Sequence, residues 1–372
     1  MKQEDSVYKK IIAVIAWATV LLLWMSAASV FVNPAYFRFA SILGLAFPFF
    51  LALVAGMLVF CLLFARNKCW IPLLGMAACF LSIRSYIPVN LPSPAPKNSI
   101  KLLSYNTLGF TTFLRDSLKE EAIFNYIGRS GADIFCFQEG NTLTPNIYEK
   151  RVLGTTRATM PYNDTVNFSS NILGCTSRFP ILRKEVICRY QMNGAVVFYL
   201  LLNDNDTLRL INCHLQSMGL TAEDREQYHD IVVNPEEKRG GVEKHSRLLV
   251  SKISRASVIR AAQADSVAAY IGRNAGKNII VCGDFNDTPI SYTHHRIHSA
   301  GLTDAYAATA TGLGRSFNRD AIIVRIDHMF CSSHWKPYAC HIDNSINASD
   351  HYPLIGHFQR VRPEAENDKK PI

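Results

Sequence analysis

Where the short apolar run Asn278–Cys282 meets Gly283, the chain continues at once with Asp284, Phe285, Asn286 and Asp287. A buried strand feeding a polar turn reads this way. Alternate residues of an extended chain share a face, so an acid at 284 and an amide at 286 point together. That pair suits holding a water or a phosphate oxygen beside a metal. Gly, Asp and Asn are also favoured in ordinary turns for backbone reasons, so the segment alone leaves both readings open. Five further strand-like runs end in chemically capable residues: Asn106, Glu139, His214, Asp327, and Asp350 with His351. One such ending is ordinary. Six describe one rim of a β-sandwich or layered α/β sheet, where strand ends converge on a site.

The donors on that rim are carboxylate and amide oxygens and two imidazoles, with no CxxC and no HExxH. Oxygen-rich sets select hard cations such as Mg²⁺ or Mn²⁺. Hydrolysis of a phosphodiester needs negative charge neutralised, a water made nucleophilic and a leaving oxygen stabilised. A cation on Glu139, the pair Asp284 and Asn286, and the histidines 214 and 351 could supply all three.

A succession of strands and helices must position these residues. Ile100–Tyr105 reads as a strand ending at Asn106, Asp116–Ser130 as a helix, and Asp133–Phe137 as a strand running into Gln138-Glu139-Gly140. Asn171–Cys175 and Val186–Tyr190 flank Arg178-Phe179-Pro180 as a hairpin. Ala195–Leu202 and Leu208–Cys213 are strands joined by a turn, and His214 comes directly after the second. Ser251–Gly272 is an amphipathic helix. Ala321–Ile326 is a strand ending at Asp327. Ser217–His245 is polar, and an exposed loop is favoured there over a lid.

The chain of 372 residues is 49% hydrophobic and 19% charged, and the apolar excess is unevenly placed. No Asp or Glu occurs between Ile11 and Leu91. Ile11–Val32 and Phe39–Ala65 are uncharged runs long enough for a hydrocarbon core that needs about 20 residues. Cys69–Ile83 is shorter and is interrupted by Pro72. A signal peptide is the alternative for the first run, but the run is long for one and a second span comes after it. Residues 1–97 carry a net +6 of the chain's +9, leaving +3 for 98–372. The catalytic part therefore lacks the concentrated basic face of a strong DNA binder. Lys9, Lys10, Arg66 and Lys68 place the N-terminus and second loop in the cytoplasm by the positive-inside bias. If the third run also spans, the residues beyond it lie on the extracytoplasmic side of a cell inner membrane. The expected organisation is a membrane anchor over 1–90, a Pro-rich linker over 91–98, a catalytic domain over 99–360 and a disordered tail over 361–372.

Ser104-Tyr105-Asn106, Asp133 through Glu139, Asn212-Cys213-His214, Gly283 through Asn286, Arg325-Ile326-Asp327-His328 and Ser349-Asp350-His351 occur in this order across some 250 residues. Together they resemble the endonuclease/exonuclease/phosphatase superfamily. The resemblance implies an α+β fold, a four-layer αββα sandwich like that of deoxyribonuclease I, here preceded by an N-terminal transmembrane helical region. It implies Glu139 as the main metal ligand, Asn106 as the amide beside that metal and Asp350 as an addition to it. Asp284 and Asn286 would align the attacking water and the phosphate or assist the leaving group. His351 would be general base or phosphate contact, with Asp327 fixing its tautomer. His214 would contact phosphate or donate a proton. Gly140-Asn141 departs from the Thr-Lys that comes after this Glu in AP endonucleases, which argues against abasic-site repair.

The expected activity is metal-dependent phosphoesterase chemistry, with a phosphodiester as the favoured target. The substrate would be a lipid headgroup, a small phosphorylated molecule or nucleic acid, and no protein partner is implied. A second reading is a non-catalytic, membrane-tethered binding module that keeps the fold. It predicts loss of some site residues, and none of the expected types is missing. Asp116, Asp287 and Asp304 read as turn or helix-cap acids, Arg178, Arg260 and Gln263 as braces, and Trp335 as a packing or rim residue. His294, His295 and His298 read as a solvated face. Cys136, Cys213 and Cys282 read as buried small hydrophobes. Cys331 with Cys340, or Cys175 with Cys188, could pair in an oxidising compartment.

Overall fold

The computed structural model describes residues 2–110, 116–141, 151–204, 206–219, 239–319 and 323–361. The charged tail 362–372 and residues 220–238 of the polar stretch lie outside them. The chain divides into two compact units. One comprises 1–87, 218–261 and 288–295; the other comprises 88–217, 262–287 and 296–372.

The first unit opens with helices α1 (Lys2–Ala28), α2 (Ala40–Leu45) and α3 (Phe47–Phe64). Val7–Phe31 and Phe47–Phe64 are long and apolar enough to cross a membrane. The third apolar run forms α4 (Trp70–Ala78) and α5 (Phe80–Tyr86), bent by 63° in the manner of a broken span or re-entrant loop. The interruption falls at Cys79 and not at Pro72, which sits in the first turn of α4, where a missing N–H breaks no helical bond. Ala16, Val20, Leu23, Phe47, Val54 and Ile71 form one buried cluster, and Ile290 from the stretch 288–295 belongs to it. Gly44 lets the backbones meet there: a Cβ on it would stand 2.4 Å from the Ile290 carbonyl oxygen.

The second unit holds twelve strands among its described residues: β1 (Ile100–Asn106), β2 (Ile134–Asn141), β3 (Tyr162–Phe168), β4 (Asn171–Ser177), β5 (Ile181–Tyr190), β6 (Asn193–Asn203), β7 (Asp206–His214), β8 (Ile279–Asp284), β9 (Thr303–Asp304), β10 (Asp327–Cys331), β11 (Trp335–Ile342) and β12 (Leu354–Arg360). They form two six-stranded sheets, ordered β11-β12-β1-β2-β4-β3 and β5-β6-β7-β8-β10-β9. Period-two alternation splits the central strands between two cores. Leu102, Cys136, Val196, Leu210 and Cys282 face the layer between the sheets. Their neighbours Leu103, Phe135 and Phe137 pack outward with Ile123, Phe124 and Ile127 of α6 (Ser117–Arg129). Val197, Ile211 and Val281 pack outward with Ala264, Val267 and Ile271 of the long helix Arg239–Arg273. The result is the four-layer αββα sandwich.

Several local expectations change. β4 and β5 lie in different sheets, so Arg178-Phe179-Pro180 is a crossing and not a hairpin. Arg178 fixes that crossing: its N–H donates to the Asp133 carbonyl at 2.9 Å and its guanidinium to the Asp133 carboxylate at 2.7 Å. The long helix starts twelve residues before the expected Ser251, at Arg239, because the polar residues of its first turns carry no apolar stripe to mark them. Asp327 opens β10; of the strand expected before it, 321–322 lie outside the described residues and 323–326 form no strand. β10 runs antiparallel to β8 with Asp327 opposite Asp284, so its first residue reaches the same rim. His294 is buried and the His295 ring meets Phe31 edge-on with centroids 4.7 Å apart, so these two are packing residues, while His298 is exposed. Asp116 and Asp304 do cap helices, accepting from the N–H groups of Lys119 and Ala307. Cys136, Cys213 and Cys282 are buried, and all ten cysteines are free thiols.

Candidate active site

Neighbouring strands of both sheets deliver residues to one rim, because each ends or bends at the same level. β1 and β2 run parallel with Asn106 beside Gln138. β7 and β8 run parallel with His214 beside Asp284. Glu139 sits at a bulge in the pairing of β2 with β4 and takes a positive φ of 55°, a conformation that costs a non-Gly residue energy and re-aims its side chain. Asn286 likewise has φ 53°. Beneath the rim, buried amides tie the two sheets together. Gln138 donates to the Asn212 side-chain oxygen at 2.7 Å, and Asn212 donates to the carbonyls of Phe137 and Gly174, each at 3.0 Å.

Gly283 makes the approach of β7 and β8 possible. It has φ 128°, and a Cβ there would stand 2.0 Å from the Cys213 carbonyl oxygen. Gly283→Ala is expected to cost at least about 3 kcal/mol, combining overpacking with backbone strain. Thermal unfolding of the detergent-solubilised chain measures this, and an unchanged midpoint would remove Gly283 from the argument.

Asp284 is the hub. Its Oδ2 accepts from the amides of Asn106 and Asn286, each at 3.1 Å, and lies 3.6 Å from His351 Nε2 and 3.8 Å from His214 Nε2. Its Oδ1 accepts the Asn286 backbone N–H at 2.8 Å. Asn106 also donates to Glu139 Oε1 at 3.0 Å, and His214 Nε2 lies 3.3 Å from that oxygen. His351 Nδ1 pairs with Asp327 Oδ2 at 2.8 Å, and Phe317 packs edge-on against the His351 ring. Seven of the eight residues expected from the sequence thus form one connected set. The eighth, Asp350, accepts from the Ser349 hydroxyl at 3.3 Å and adds negative charge near His351.

Charge follows from these contacts. Burial pushes the Glu139 carboxyl up, but His214, Asn106 and His351 outweigh it and hold it at about 2, so Glu139 is ionised. Burial pushes the Asp284 carboxyl up to about 6, reinforced by Asp327 and opposed by the two histidines. Burial pulls the His351 ring down, yet Asp327, Asp284 and Asp350 carry it well above the ordinary imidazole range.

Ligand atoms of Glu139, His214 and Asp284 lie within 4.8 Å of one another, and so do those of Asp284, Asp327 and His351. An ionised Glu139 beside a carboxylate and an amide fits a hard divalent cation. In the second group Asp327 is already engaged by His351, which marks an orienting pair more than a cation cradle.

Pattern reading assigned no role to four contributors. Ser349 donates to the Asn106 carbonyl at 2.8 Å, and Phe317 backs His351. Asn171 and Asn193 both reach the His214 ring. Each of these asparagines opens a strand, a place where Asn is common for turn reasons alone, so the sequence carried no distinguishing mark.

A family profile described as the Endonuclease/Exonuclease/phosphatase family matches residues 103–351, and a domain of unknown function, DUF8431, matches residues 9–86. The chain belongs to the endonuclease/exonuclease/phosphatase family. It is accordingly a hydrolase acting on phosphate esters. A search of curated proteins finds no match. Among solved structures, the human nocturnin catalytic domain with bound sulfate is 17% identical with a TM-score of 0.50, covering 73% of this chain and 96% of its own. A family protein from Bacteroides thetaiotaomicron is 15% identical with a TM-score of 0.49, covering 72% and 98%. Sphingomyelinase C from Streptomyces griseocarneus is 16% identical with a TM-score of 0.46, covering 70% and 99%. The likeness to nocturnin shows the fold.

Proposed function

We propose that this chain is a membrane-anchored phosphodiesterase dependent on Mg²⁺ or Mn²⁺. The observation that carries the reading is the Asp284 carboxylate, one oxygen of which is shared by two amides and faced by two imidazoles. Asn106 and Glu139 would hold the cation, with Asp350 adding charge nearby. A bound divalent cation supplies charge neutralisation on the phosphate and a more acidic water. The chain's own groups do the rest. Asp284, held in place by Asn286, orients the attacking water. His351, oriented by Asp327, meets a phosphate oxygen through Nε2. His214 meets the phosphate through its own Nε2.

The substrate we favour is a lipid headgroup or small phosphorylated molecule, because residues 98–372 carry only +3 and two apolar helices precede them. Nucleic acid is the competing class, and a steep loss of binding with salt would point to it. With the bent third run read as one broken span, the positive-inside bias supports an inner-membrane protein with its catalytic unit on the extracytoplasmic side. Protease accessibility in intact spheroplasts checks that orientation.

The test uses the full chain in detergent, assayed against bis(p-nitrophenyl) phosphate, choline phospholipid in mixed micelles, and duplex DNA. EDTA is expected to abolish hydrolysis, and Mg²⁺ or Mn²⁺ to restore it. Hydrolysis that survives exhaustive chelation would end the metal-dependent reading. Cleavage of DNA alone would end the lipid reading.

A further inference from the structure

The proposed function leaves open whether His214 donates a proton or only a hydrogen bond. Its surroundings answer this. The side-chain amide of Asn171 lies 2.7 Å from His214 Nδ1, with its nitrogen facing the ring, and the same nitrogen donates to the Met192 carbonyl at 2.9 Å. The side-chain nitrogen of Asn193 lies 3.3 Å from Nδ1 and donates to the Leu215 carbonyl at 3.2 Å. Those two carbonyls only accept, so they settle which way each amide is turned. Rotating Asn171 would press its oxygen against the Met192 carbonyl and bury an NH₂ group where its oxygen now lacks a partner. Two N–H donors therefore converge on Nδ1, which must accept. The ring proton is then on Nε2.

Nε2 is buried and has no hydrogen-bond partner within the protein. It faces the Glu139 carboxylate at 3.3 Å without a well-aligned hydrogen bond, and the Asp284 carboxylate at 3.8 Å is beyond hydrogen-bond reach. A buried donor without an acceptor costs stability, on the order of 1–3 kcal/mol. Such a cost is tolerated where a ligand supplies the missing acceptor.

We propose that Asn171 and Asn193 are positioning residues that fix His214 in the Nε2–H tautomer, so that it offers a hydrogen bond to a phosphoryl oxygen and transfers no proton. This deepens the phosphodiesterase reading and rests on it for the identity of the acceptor. The proton bookkeeping agrees. The ring holds one proton, and giving it up entirely would leave an imidazolate, so the group works as a fixed donor in the manner of an oxyanion hole. A second ring proton would point into the Asn171 and Asn193 N–H groups, so the hydrogen bonds at Nδ1 oppose it.

The experiment is ¹⁵N NMR of the full-length protein, labelled at histidine, in detergent micelles, with the His214 signals assigned by their loss in His214→Gln. The expected result is an unprotonated Nδ1 and a protonated Nε2, with the Nε2 signal shifting on addition of inorganic phosphate. In Asn171→Asp an acceptor replaces the donor, and the ring proton should appear on Nδ1. With bis(p-nitrophenyl) phosphate, kcat of that variant should fall about 10²-fold with KM little changed, as for loss of one oxyanion donor. Asn171→Leu, which neither donates nor accepts, should keep more activity than Asn171→Asp. A wild-type ring protonated on Nδ1 would overturn the proposal, as would an Asn171→Asp variant with an inverted tautomer and unchanged kcat. The wild-type and Asn171→Asp spectra test the tautomer even if no phosphodiester is hydrolysed, which separates failure here from failure of the function assigned above.

Discussion

Glu139→Gln is expected to lower kcat by at least about 10³-fold while the protein stays folded. The side chain is about one-third exposed and projects from a bulge, so the change removes charge with little loss of packing. Its carboxyl is held at about 2 by His214, Asn106 and His351, so the wild-type group is ionised throughout the physiological range. Gln keeps the shape and one oxygen but loses the charge that a hard cation requires. Cation-assisted phosphate chemistry depends on several kcal/mol of charge stabilisation, and about 4 kcal/mol corresponds to a thousandfold. Calorimetric titration with Mn²⁺ should show weakened binding in parallel. A variant that retains kcat within tenfold would show that Glu139 does not hold the cation.

His351→Ala is expected to reduce kcat about 10³-fold, and Asp327→Asn about 10²-fold. The ring is buried and joined to Asp327 through Nδ1 at 2.8 Å, which leaves Nε2 facing Asp284. Removing the ring removes the group that meets the phosphate. Replacing Asp327 keeps the ring but loses the charge that favours its protonated form and fixes its orientation. The double variant should be scarcely worse than His351→Ala, because the two act as a unit. Steady-state kinetics on bis(p-nitrophenyl) phosphate decides this. Additive losses in the double variant would mean that Asp327 acts independently of the ring.

Strand ends were legible in the sequence because a buried strand running into a polar turn leaves a compositional edge. Asn106, His214 and Asp284 stand on such edges, and each closes its strand. Asp327 was legible as a site residue but not as a strand start, since the apolar residues before it look like a strand and pairing direction is not written in composition. The crossing at Arg178-Phe179-Pro180 resembles a hairpin turn for a similar reason. Which sheet a strand joins depends on long-range partners, and here the Asp133 carbonyl and carboxylate that hold Arg178 lie 45 residues away. Asn171 and Asn193 were invisible because their role lies in which way an amide faces, a property of the neighbouring Met192 and Leu215 carbonyls.

Ile290 lies six residues after Asp284 and is buried with side chains of the leading apolar helices. Those helices are therefore no interchangeable leash. A chimera carrying an unrelated transmembrane segment in place of residues 1–87 would inherit a bare isoleucine, and with it an incentive to aggregate that has nothing to do with catalysis.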